Sequence, residues 1–152
     1  MKTKLSLFWF RRDLRLEDNI GLCQALSSGS PVLPIFIFDK FILDALENKA
    51  DRRVDYIHQA LLAINSGLKN HQCKLNTFYG EPLDIFKQLS EEYDIQVVFC
   101  NRDYEPQAIK RDTEIFDFFK TKGISFKAFK DQVIFDKNDV VINSRLIEKT
   151  WE

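Results

Sequence analysis

Glycine is scarce in this chain, with five residues among 152, at positions 21, 29, 67, 80 and 123. That placement writes neither a G-x-G-x-x-G turn nor a Walker A loop, so a dinucleotide gripped through its phosphates is not expected. Cysteine is equally sparse. Cys23, Cys73 and Cys100 are odd in number and widely spaced, without a C-x-x-C pair. They read as reduced, largely buried thiols of a cytoplasmic protein, neither a disulfide framework nor a zinc site. The two histidines, His58 and His71, stand alone and read as helix positions. Excess charge is missing too: 22 basic and 23 acidic side chains leave a net charge of −1, which offers nucleic acid no electrostatic footprint. No apolar run approaches the length of a bilayer span, and the first four residues lead into a strand without a signal-peptide core. Internal repeats, low-complexity segments and long linkers are likewise not seen.

What the chain does have is a one-domain length, 45% hydrophobic and 30% charged residues, and fourteen phenylalanines. Most of these rings are expected to pack a sheet against helices, with a few left over to line a pocket for a planar ring. Strand and helix patterns alternate. Residues 5–10 form an apolar strand, and Asp18 or Asn19 caps a helix to about Ser28. A second strand covers 31–38, apolar throughout as in a sheet covered on both faces, with Pro34 at an irregularity or near its start. Val54, Ile57, Leu61, Ile64 and Leu68 recur at helical spacing. A third strand spans 74–79, followed after Gly80-Glu81-Pro82 by a helix burying Leu83, Phe86, Leu89 and Tyr93. A fourth strand covers 95–100. The helix over 105–122 turns Ile109, Phe116 and Phe119 inward and closes at Gly123, before a fifth strand over 125–129. Short extended pieces are expected at 133–135 and 140–142, and a short helix at 41–46 inside an irregular excursion. The result is an α/β, Rossmann-like (flavodoxin-like) three-layer sandwich with a five-stranded, mainly parallel sheet in the order 3-2-1-4-5.

In such sheets ligands collect at the carboxyl ends of the strands. Arg11, Arg12 and Asp13 follow the first strand, Asp39 the second, and Asn101 to Glu105 the fourth. The run Trp9 to Asn19, W-F-R-R-D-L-R-L-E-D-N, passes from apolar strand into three arginines set among three carboxylates. Such a cluster either neutralises itself as a surface or domain-contact network or holds a partner. Asp103 and Glu105 suit acid-base or metal chemistry, or simply the capping of the next helix. No second carboxylate cluster completes a metal site, and no serine or cysteine nucleophile motif is present.

That run resembles the opening W-F-R-x-D-L-R-x-x-D-N of the DNA photolyase and cryptochrome family. Three further stretches agree in order: P-V-L-P-I-F-I-F-D (Pro31 to Asp39), G-E-P (Gly80 to Pro82), and N-R-D-Y-E-P followed by R-D (Asn101 to Pro106, Arg111, Asp112). The resemblance covers about residues 5 to 142 and is closest to photolyases that repair cyclobutane pyrimidine dimers. It implies an N-terminal antenna-chromophore domain over 1–142, a divergent tail over 143–152, and a helical FAD-binding domain not present in these residues. The 152 residues alone are then not catalytic. The helical domain is the implied partner, damaged DNA is met only through it, and FAD belongs to it; no membrane is involved. The implied antenna pigment is a deazaflavin, flavin or folate, weakly held or absent. For a deazaflavin, Phe36, Phe38, Arg53, Asp103 and Glu105 match the family's lining residues, with Ala108 beneath the ring. For a folate, Gln107 supplies the amide, but Ala108 cannot supply the carboxylate. The alternative is a stand-alone α/β interaction or nucleotide-sensing module without catalysis.

Overall fold

The computed structural model describes residues 1–44 and 51–131. Along them run β1 (Lys4–Phe10), α1 (Ile20–Leu26), β2 (Val32–Asp39), α2 (Lys40–Asp44), α3 (Arg52–Lys69), β3 (Asn76–Gly80), α4 (Pro82–Glu92), β4 (Asp94–Asn101), α5 (Pro106–Thr121) and β5 (Ser125–Phe129). Every strand pairing is parallel, and the order is β3-β2-β1-β4-β5, as the alternating pattern implies. The pieces expected at 133–135 and 140–142, the end of the helix expected at 41–46, and the boundary at 142 lie outside the described residues.

β1 is the centre of the molecule. Alternation sends Leu5, Leu7 and Trp9 to one face, where α4 and α5 bring Ile85, Phe86, Leu89, Ile115 and Phe119. Phe8 and Phe10 go to the other face and meet Leu22 and Ala25 of α1 with Leu61 and Ile64 of α3. Both faces are therefore covered, which is why β1 and β2 read as nearly continuous apolar runs. Pro34 is the third residue of β2 and sits opposite Phe8, while pairing with β3 begins one residue later, at Ile35. Its missing donor thus falls near the strand's start, where β3 has not yet joined. The register of β1 on β4 shifts between Leu5 and Leu7, a β-bulge.

Three expectations need correction. Ile109 and Phe116 do not face inward; they are 50% and 45% exposed. Ala108, Ile115 and Phe119 take the buried line of α5, and each of the two exposed residues follows one of them by a single position, about 100° around the helix. Of the cysteines only Cys100 is buried, Cys23 being exposed and Cys73 half-buried. His58 lies in α3 as expected, but His71 falls in the turn just past its end.

Candidate functional site

The exits of β1, β2 and β4 meet at the carboxyl edge, because β1 lies between the other two. The charged run after β1 is largely spent on fastening that edge. Arg11 is 6% exposed; its Nη1 donates to Asp112 of α5 and its Nη2 to the carbonyl oxygen of Asn101. Its guanidinium lies 4.8 Å from the centroid of Trp9, and Arg111 lies 5.0 Å from the same ring. Arg111 in turn reaches Asp39 at 3.6 Å and Asp112 at 3.4 Å. A chain of charges, Asp39 to Arg111 to Asp112 to Arg11, therefore ties the end of β2 to α5 and to the exit of β1. Burial opposes the Arg11 charge, yet the neighbouring Cys100 and Asp112 push its pKa up. Burial also pushes the Cys100 thiol up, to about 12, against the pull of Arg11, so the thiol is neutral at physiological pH.

Asp13 belongs to a second, buried network. Its carboxylate accepts the Arg11 backbone N–H at 2.8 Å, the Asn19 side-chain amide at 3.3 Å and the Asn101 side-chain amide. The Asn101 amide also donates to Asn19 Oδ1 at 2.8 Å, while its own oxygen accepts the Gly21 N–H at 2.8 Å. Asn19 caps α1 by accepting from Leu22 N. Asp13 thus binds amides rather than the guanidinium of Arg11 or Arg15. Gly21 is required by proximity, since a Cβ there would stand 2.6 Å from Asn101 Oδ1.

The residues matched to a pigment site form separate groups. Phe36 and Phe38 make an edge-to-face pair 4.9 Å apart on the α1/α3 face of β2. Asp103 and Glu105 are joined by Arg12, at 3.5 and 2.5 Å. Glu105 occupies the N-cap of α5 without a side-chain cap bond. Gln107 is exposed and Ala108 buried in the first turns of α5. Arg53, in the first turn of α3, is bound to its own N-cap, Asp51, at 2.7 Å. The Arg53 hydrogen bonds hold the Asp51 carboxyl down at about 2. Arg12, Arg111 and Asp112 were not singled out for the pigment site by sequence reasoning, although all three stand inside the stretches that carry the family resemblance. An open cavity of about 690 Å³ lies apart from Phe36 and Phe38, between α5 and β5, where Ile109, Phe116, Phe126 and Phe129 line it. Among the described residues no group of three or more His, Cys, Asp or Glu is placed to hold a metal, and no helix is long and apolar enough to cross a membrane.

A five-stranded parallel sheet with its polar residues gathered on the carboxyl edge defines a doubly wound α/β domain. Residues 6–150 match the DNA photolyase family model, and the chain belongs to that family. It is 31% identical over 138 residues to a deoxyribodipyrimidine photo-lyase of Synechococcus sp., covering 91% of this chain and 28% of that protein. Cryptochromes are matched over 90% of the chain as well. Among solved structures, a class III photolyase from Agrobacterium tumefaciens superposes with a TM-score of 0.80 at 26% identity, covering 94% of this chain and 29% of its own. A photolyase from Sulfolobus tokodaii, described with two FAD molecules and a novel light-harvesting cofactor, gives 0.79 at 33% identity, over 92% and 32%. The chain thus corresponds to the N-terminal α/β domain of these proteins and spans less than a third of their length.

Proposed function

We propose that this domain harvests light for a photolyase or cryptochrome by holding a flavin-type ring at the carboxyl edge of its sheet. The reading is supported by one arrangement above all. An edge-to-face phenylalanine pair, Phe36 and Phe38, offers apolar surface to a planar ring, while the Asp103 and Glu105 carboxylates of the β4–α5 loop are acceptors for a ring N–H. These residues suit a flavin or deazaflavin. They do not suit a folate held through a carboxylate at position 108, where the buried methyl of Ala108 stands. Bound there, such a pigment absorbs visible light and passes excitation to the FAD of a helical domain. That helical domain is the proposed partner, and damaged DNA is met through it; the near-balanced charge of this chain gives no footprint of its own for phosphates.

Because the sheet edge supplies one wall of the site and the helical domain the other, the ring is held weakly by these 152 residues. Titration of the purified chain with riboflavin, followed by flavin fluorescence and equilibrium dialysis, is expected to give saturable binding with a Kd above about 1 µM. Absence of saturable binding at several hundred micromolar would overturn the pigment reading. Submicromolar binding would instead show that the second wall is not needed.

A further inference from the structure

We infer that Arg12 is a positioning residue for the ring site, holding Asp103 and Glu105 as a charge-compensated pair so that a ring N–H donor and an anionic tail are accepted together. The inference rests on the pigment reading above and deepens it. Glu105 stands at the N-cap of α5, where an acidic side chain ordinarily turns to the helix N–H groups and dipole. Its carboxylate makes no such bond, and Oε1 lies 2.5 Å from Arg12 Nη2 instead. Asp103 accepts the Glu105 backbone N–H at 3.2 Å through Oδ1 and faces Arg12 Nε at 3.5 Å through Oδ2. One guanidinium fork therefore sets both carboxylates of the loop, a geometry a lysine ammonium does not reproduce.

The charges give this arrangement a consequence for the ligand. Without Arg12, the loop presents two uncompensated negative charges, which disfavour a phosphate-bearing flavin more than a neutral one. Arg12 is 53% exposed on its side chain and Glu105 58%, so the effect is moderate and the fold does not depend on it.

The test compares the wild-type chain with Arg12→Gln and Arg12→Lys, titrated with riboflavin and with FMN. Arg12→Gln is expected to weaken riboflavin about three- to fivefold and FMN more strongly, and to shift the visible band of the bound ring. Arg12→Lys is expected to restore the FMN preference, which follows charge, but not the band position, which follows geometry. Amide exchange in the ligand-free proteins adds a second readout: the Glu105 N–H should exchange faster in Arg12→Gln while β1 and β4 stay protected. If wild type binds and Arg12→Gln leaves both affinities and the band unchanged, the assignment to Arg12 falls alone. If wild type takes up neither flavin, the pigment reading falls and this inference with it.

Discussion

Arg11 and Asp112, 101 residues apart in sequence, form an ion pair directly above the indole of Trp9. The pair is largely withdrawn from water, at 6% and 18% side-chain exposure, and it fastens α5 to the exit of β1. A pair of this kind costs desolvation when formed and costs far more when half of it is removed.

Asp112→Ala is therefore expected to destabilise the domain by about 3 kcal/mol or more, since it strands the Arg11 guanidinium and removes one partner of Arg111. Urea denaturation checks this. A midpoint within error of wild type would mean that water reaches Arg11 in solution.

Asp13→Ala should cost about 3 kcal/mol, because it leaves the Arg11 backbone N–H and the amides of Asn19 and Asn101 without their shared acceptor. Arg12→Ala, which breaks a half-exposed pair, should cost less than about 1 kcal/mol. The ordering of the two denaturation midpoints is the measurement; equal effects would contradict the buried network.

Gly21→Ala places a methyl group 2.6 Å from Asn101 Oδ1 and 3.0 Å from the Phe8 ring. The expected loss is about 1–3 kcal/mol, as for other overpacked sites. Gly29→Ala is a control of a different kind: open space surrounds its Cβ, and any cost there comes from its φ of +81°.

Asp51 carries the clearest pH signature. Its folded pKa is depressed to about 2 by the Arg53 hydrogen bonds, so the associated stability is present above the ordinary carboxyl pKa of about 4 and fades as pH falls toward 2. A carboxyl-carbon NMR titration should place the Asp51 midpoint near 2. In Arg53→Ala it should return toward the ordinary range, and an unmoved midpoint would rule out Arg53 as the cause.

The fold was legible in the sequence because each element kept its own period. β1 and β2 read as continuous apolar runs between turn residues, and α3 showed its stripe from Val54 to Leu68, so the strand order follows from right-handed crossovers. Misplacing Ile109 and Phe116 had a definite origin. Both are apolar at helical spacing, but so are Ala108, Ile115 and Phe119 one step around the same helix, and only the packed structure shows which line meets the sheet. The site was legible in its residue types and not in its pairings. Asp13 lies between two arginines in sequence, yet its partners are Asn19 and Asn101, because the strand exit turns the side chain inward toward β4. Arg111 and Asp39, which close the edge of β2, are 72 positions apart, and no local pattern links them.

The central place of the first strand bears on how the chain is made. β1 leaves the ribosome early, but one of its two edges waits for β4, whose first residue, Asp94, pairs with Lys4. Until then Leu7, Trp9 and their neighbours have an unpaired backbone on one side and no α5 above them. A nascent chain stalled before Asp94 therefore displays its most apolar strand as an open edge, and protection from chaperones or from rapid elongation matters most during that interval.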